Sequence, residues 1–263
     1  MNSNERCSPI SEMTPMNLAD LLLVAVLVVL FPAWEFWRGP VLRARLMADP
    51  ALKVAAYRTT CIQLWSLTLV LLALHASSGL SIAALAVREA PWFGAPLVAA
   101  TLVPLALYLA WSLRSVAGDP AVRKQTAEAM QPLAWMLPND RREAIWFIGP
   151  VSLTAGICEE LLYRGYLMQW LAGFIPVWAA MLLSSAVFGL MHAYQGPGGI
   201  LRTVGLGLVM AGLFVLTGSL LWPILLHVVI DAYAGALSWL AMRKEITAEP
   251  DKNGATPCAT RIR

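Results

Sequence analysis

The sequence predicts an all-α fold, a polytopic transmembrane helical bundle of about seven spans. Three observations carry that prediction. Hydrophobic residues fill 59% of the 263 positions and charged residues only 13%, against about 25% charge in a typical soluble domain. The mean hydropathy is +0.65. Apolar runs of roughly 20 residues, the length a helix needs to cross a hydrocarbon core of about 30 Å, alternate with short polar segments that hold most of the Lys and Arg.

The elements follow in order. A polar, mixed-charge segment at 1–17 has no basic n-region, so the first apolar run reads as a retained span and not a cleaved signal. That span is expected at about 18–37, capped by Asn17 or Asp20 and kinked near its end by Pro32. A basic segment at 38–58 carries Arg38, Arg43, Arg45, Lys53 and Arg58. The second span is expected at about 59–80, a link with Arg88 and Glu89 follows, and the third span lies at about 92–112. Residues 113–143 read as a loop with a short surface helix. The fourth apolar segment, about 144–170, contains Pro150, which is expected to divide it into an interfacial entry and a membrane helix. The fifth span, about 176–194, ends before the turn QGPGG. That turn lacks the GxxxxGK[ST] pattern of a phosphate loop. The sixth and seventh spans fall at about 201–217 and 220–241, and 242–263 is a polar tail. The membrane domain is thus 18–241.

Lys and Arg number five in each of 38–58, 113–143 and 242–263. They number one before the first span, one in 81–91 and none in 171–175. The positive-inside rule then places the N-terminus outside and the C-terminus in the cytoplasm, as in a bacterial-type inner-membrane protein. Eight crossings is the alternative, with Pro150 marking a re-entrant piece. Trp34, Trp37, Trp92, Trp111, Trp146, Trp170 and Trp222 fall near predicted span ends, where Trp favours the lipid interface. The net charge is +3, and basic residues do not cluster with aromatics, so nucleic acid is not an expected partner. Cys7, Cys61, Cys158 and Cys258 form no CxxC pair, which argues against a redox motif or a zinc knuckle.

Against this apolar background Glu159, Glu160, Arg164, His192, His227 and Asp231 stand inside the last four spans. A charge at the bilayer centre costs about 2.5–3.5 kcal/mol on insertion scales, so such groups face a bundle interior or a wet cavity. On a helix Glu160 and Arg164 are i,i+4 neighbours and can pair, while Glu159 points about 100° away, toward a different wall. His227 and Asp231 share a face at i,i+4. A buried carboxylate suits a general base that takes a proton from water and later returns it, and a histidine nearby can orient that water. His227 and Asp231 are candidates for stabilising a developing oxyanion. No serine or cysteine has a base at helical spacing beside it. Zinc accepts carboxylate and histidine ligands. The chain has no HExxH, however, and its donors are spread over three helices. A cofactor is therefore not firmly implied, and a divalent metal such as zinc stays compatible with the donors.

Each group also has a plain structural reading. Glu160 and Arg164 can lock two helices, the histidines can be packing residues, His75 can pack in the second span, and Glu35 can pair with Arg38 near the membrane surface.

At these residues the chain resembles the CPBP family, the Abi-type intramembrane proteases related to the CAAX prenyl endopeptidases of the Rce1 type. EExxxR is matched by E-E-L-L-Y-R at Glu159, Glu160 and Arg164. FxxxH is matched by Phe188 and His192. HxxxN or HxxxD is matched by His227 and Asp231. The resemblance covers about 140–241. It implies an intramembrane endopeptidase in which Glu159 and His192 activate water, His227 and Asp231 stabilise the oxyanion, and Glu160 and Arg164 organise the site. The prenyl-protein enzymes usually carry asparagine where this chain has Asp231. The implied substrate is a membrane protein or a lipid-modified peptide, met among membrane lipids. The alternative from another class is a non-catalytic immunity or scaffold protein that binds a partner helix with the same charges. An ion or solute transporter would need a continuous polar path and repeats that the sequence lacks.

Overall fold

The computed structural model describes residues 18–77, 85 and 94–243. The N-terminal segment 1–17, the link residues Arg88 and Glu89, Trp92, Cys7, Cys258 and the tail from 244 onward lie outside the described residues.

The described chain is helical: α1 (Leu18–Ala48), α2 (Pro50–Ser77), α3 (Gly94–Gly118), α4 (Pro120–Met130), α5 (Arg141–Ala172), α6 (Val177–Met191), α7 (Pro197–Thr217) and α8 (Leu221–Met242). Five of these, α1, α2, α5, α7 and α8, are long and apolar enough to cross a membrane. Leu102–Gly118 of α3 and α6 are shorter apolar helices. The architecture is that of a membrane-embedded helical bundle.

Local chemistry sets the boundaries. Asp119 Oδ1 accepts from the backbone N–H groups of Ala121 and Val122 and starts α4. Asp140 Oδ1 accepts from Glu143 N at 2.8 Å and starts α5. Both satisfy amides that a helix start leaves unpaired. Gly218 ends α7 with φ of +66°, a left-handed conformation that glycine adopts without a Cβ clash.

Two expectations are corrected. The first helix does not end at about 37, and the basic segment 38–58 is helical on both sides of one turn. α1 runs through Pro32 and Pro40 to Ala48, and α2 begins at Pro50 after a turn in which Asp49 accepts from Ala51 N. Arg38, Arg43 and Arg45 are therefore helical. Pro150 does not divide its segment either. It sits in a wider π turn, Phe147–Val151, inside a continuous α5. A π turn changes the hydrogen-bond spacing locally, so the helix passes the missing proline donor without ending.

α5 is the axis of the bundle, with every residue from Glu160 to Met168 buried. Around it, Leu23 and Leu27 of α1, Leu71 of α2 and Phe188 of α6 pack on Leu162, Tyr163, Tyr166 and Leu167. Tyr166 ties α1 to the axis by donating to Asp20 Oδ1 at 3.1 Å. The segment between α4 and α5 is held from both sides. Lys53 Nζ donates to Leu137 O at 2.9 Å and meets Glu143 at 3.3 Å. Tyr57 Oη donates to Met136 O, and Ser238 Oγ donates to Pro138 O. His75 is buried in α2.

α5 and α8 approach closely because Gly156 has no side chain. A Cβ there would run into Val228 Cγ2 and lie 3.1 Å from Val228 N and 3.2 Å from Ile224 O. Gly156→Ala is expected to force the two helices apart, at about 1–3 kcal/mol for overpacking. Thermal unfolding in detergent checks it. Adding Val228→Ala should recover only part of the loss, because the backbone contacts remain.

Candidate active site

The predicted site residues assemble where α5, α6 and α8 meet. Glu160 and Arg164 are both fully buried, with Arg164 Nη1 donating to Glu160 Oε1 at 2.8 Å. Arg164 Nη2 donates to the carbonyl of Gly207 on α7 at 3.2 Å, and its Cζ lies 4.3 Å from the centroid of the Phe188 ring. A cation over an aromatic face adds to the hold of the ion pair. Gly207 makes this possible, since a Cβ there would stand 3.0 Å from Arg164 Nη2.

Glu160 Oε1 also lies 2.8 Å from His227 Nδ1. An ionised carboxylate only accepts, so the pairing places a proton on Nδ1. It turns His227 Nε2 toward Glu159 Oε2 at 3.7 Å and Asp231 Oδ2 at 3.6 Å. Those separations exceed a direct hydrogen bond. One imidazole thus stands among three carboxylates, fixed on one side and unbonded on the other. Glu159 Oε2 is buried without a hydrogen-bond partner among the described residues.

His192 sits where α6 ends. Its Nδ1 is 2.9 Å from Phe188 O, and its ring lies 4.9 Å from that of Phe188. The same Phe188 ring is 5.9 Å from His227 in an edge-on arrangement. Phe188, the first residue of the second motif, is therefore the apolar spacer on which Arg164, His192 and His227 all rest.

Glu159 and His192 line one cavity of ≈ 150 Å³. One buried water needs about 10–15 Å³ of such space, so the cavity admits several waters. His227 and Asp231 are not part of its lining, and His227 meets Glu159 from behind. Asp231 is partly exposed, at 31% of its side chain.

The sequence reading missed the other half of the cavity. α1 contributes Glu35 and Arg38, α2 contributes Tyr57 and Gln63, and Trp135 and Tyr194 come from the connecting segments. Arg38 Nη1 donates to Glu35 Oε1 at 3.0 Å and to Gln63 Oε1 at 3.1 Å. The expected Glu35–Arg38 pair exists, but as a cavity wall that also bridges α1 to α2. Tyr163 was legible in principle, being four residues after Glu159 and hence on the same helix face.

Among the described residues no group of three or more His, Cys, Asp or Glu is disposed to hold a metal ion. The donor set has a physical reason for that. His227 Nδ1 is engaged by Glu160, and Glu160 is engaged by Arg164.

Residues 141–233 match the model of the Rce1-like family, described as type II CAAX prenyl endopeptidase Rce1-like. The match takes in α5, α6, α7 and most of α8, and with them all six predicted site residues. It supports a hydrolytic function of the CAAX-protease kind. No curated protein and no solved structure matches the chain.

Proposed function

We propose that the protein is an intramembrane endopeptidase that hydrolyses peptide bonds of membrane-associated or lipid-modified proteins with water activated by Glu159 and His192. The observation that carries this reading is the shared cavity: Glu159 and His192 line it together, and Glu159 Oε2 is buried and unpaired among the described residues. Glu159 takes a proton from water, and the resulting hydroxide adds to the scissile carbonyl carbon. The C–N bond then breaks as the proton is returned to the leaving amine, a general base becoming a general acid. His192 orients the water. Glu160 and Arg164 hold His227 through its Nδ1, and the ring, when it carries a proton on Nε2 as well, supplies positive charge for the developing oxyanion, with Asp231 facing that nitrogen.

The chain is read as seven spans in an inner-type plasma membrane, with α3 and α6 as the two shorter crossings. The N-terminus lies outside and the C-terminus in the cytoplasm. The packing of Lys53, Tyr57 and Ser238 onto the segment 136–138 supports a common end for three of the basic regions, as that topology requires.

The test is cleavage by purified protein in lipid of a peptide library with and without a prenyl group, each with and without chelator. Cleavage insensitive to chelation is the expected result. Loss on chelation with recovery on added zinc would replace the glutamate mechanism by a metal-dependent one. Failure to cleave any member would favour the immunity or scaffold alternative.

A further inference from the structure

Buried donors without acceptors are costly, and the exceptions in a folded protein ask for an explanation. Two residues that carry such donors line the cavity of Glu159. Tyr163 is 2% exposed, and its Oη has no hydrogen-bond partner among the described residues. Trp135 is 9% exposed, and its Nε1 is likewise unpartnered. Tyr163 lies one helical turn after Glu159, and its ring is held edge-on by Phe188 at 5.3 Å. Trp135 is held edge-on by Tyr194 at 6.3 Å and 88°. Both rings are thus fixed by aromatic packing, and their polar ends are left unpaired.

Trp135 has a second distinguishing position. A neighbouring cavity of ≈ 370 Å³ is lined by Arg43, Pro132, Leu133 and Gln195, and it shares Glu35, Gly39, Trp135 and Tyr194 with the first. The two spaces therefore meet at the Trp135–Tyr194 pair. Trp135 lines both spaces, whereas Tyr163 and Glu159 line only the first.

We propose that Trp135 Nε1–H and Tyr163 Oη–H are substrate-binding donors that take backbone carbonyls of an extended peptide lying across the two cavities. The inference rests on the endopeptidase reading for its substrate class. The ligand it names is peptide backbone, recognised with little regard to side chains, because every peptide unit offers the same carbonyl acceptor. Arg38 is not needed for this, since its Nη1 is already committed to Glu35 and Gln63.

The inference separates a binding role from a packing role. A donor that packs for stability should be missed when removed. A donor held unpaired for a ligand should not be missed until the ligand arrives, since deleting an unsatisfied buried group removes its desolvation cost. The experiment uses the full chain in lipid nanodiscs, with Tyr163→Phe and Trp135→Phe made in a Glu159→Gln background. The probe is a fluorescein-labelled, palmitoylated decapeptide of Ala, Leu, Ser and Gln, read by anisotropy, with thermal unfolding measured without peptide. Tyr163→Phe is expected to unfold at or above the temperature of its parent and Trp135→Phe, which also removes ring volume, somewhat below it; each is expected to bind the probe about three- to tenfold more weakly, the worth of one neutral hydrogen bond. Replacing the probe's amides by esters, which are poorer acceptors, should weaken the parent and leave the variants less affected.

Unchanged affinity in both variants overturns the inference. So does a fall of several degrees in unfolding temperature with Tyr163→Phe, which would make its hydroxyl a structural group. Absence of saturable binding by the parent also overturns it, because backbone recognition is indifferent to the probe's sequence. Binding that responds to both substitutions, in a protein whose Glu159-containing form cleaves nothing, would leave this inference standing and remove the endopeptidase reading.

Discussion

Glu159→Gln is expected to lower the cleavage rate by about 10²–10⁴-fold, the range a positioned general base contributes, while leaving the fold unchanged. The geometry makes this a clean substitution. Glu159 Oε2 makes no hydrogen bond among the described residues, and its nearest charged neighbour, His227 Nε2, is 3.7 Å away. The three residues that organise the site, Glu160 with Arg164 and His227, are linked without Glu159. Glutamine keeps the volume and removes only the ability to take a proton. Rate and unfolding temperature are measured on the same preparation in lipid. A folded Glu159→Gln protein that cleaves at the wild-type rate would remove Glu159 from the base role and, with it, the proposed mechanism. Slower cleavage with a lowered unfolding temperature would instead show that the carboxylate is part of the packing.

The sequence made the helices and the charged residues inside them legible for one physical reason: apolar length and intramembrane charge are both local signals. Glu160 and Arg164, four apart, pair as helical spacing requires, and His227 and Asp231 share one face of α8. Tertiary approach was not local. Nothing in the spacing of Glu160 and His227, 67 residues apart, says that one carboxylate oxygen serves both Arg164 and His227. The first span was expected to end at about 37 because charge was read as a boundary. The helix instead carries Arg38 past the apolar run and uses it against Gln63 of α2. For the same reason α1 and α2, unremarkable in their motifs, turned out to wall the cavity with Glu35, Arg38 and Gln63. The unpaired donors of Tyr163 and Trp135 are invisible to any pattern, because an aromatic at helical spacing reads as core.

Arg164→Met is expected to destabilise the protein by about 3–5 kcal/mol, because removing one partner of a buried ion pair leaves the other charged and uncompensated. Arg164 has no exposure through which water could replace what is lost. The substitution also frees the carbonyl of Gly207 and removes the cation from the Phe188 ring. Arg164→Lys should fall between wild type and Met, since an ammonium keeps the charge but not the planar fork that reaches Glu160 and Gly207 together. Unfolding in graded denaturing detergent gives the order. Arg164→Met unfolding with the wild-type midpoint would mean that Glu160 is held by His227 alone. The double substitution Glu160→Leu with Arg164→Met separates stability from chemistry. Replacing a buried pair by apolar residues of similar volume is often neutral or stabilising, so the midpoint should return most of the way. Cleavage should stay low, because His227 Nδ1 would have lost the acceptor that orients its ring toward Glu159. A pair kept only to lock α5 against α7 would let stability and cleavage recover together; a pair kept to aim His227 lets only the first recover.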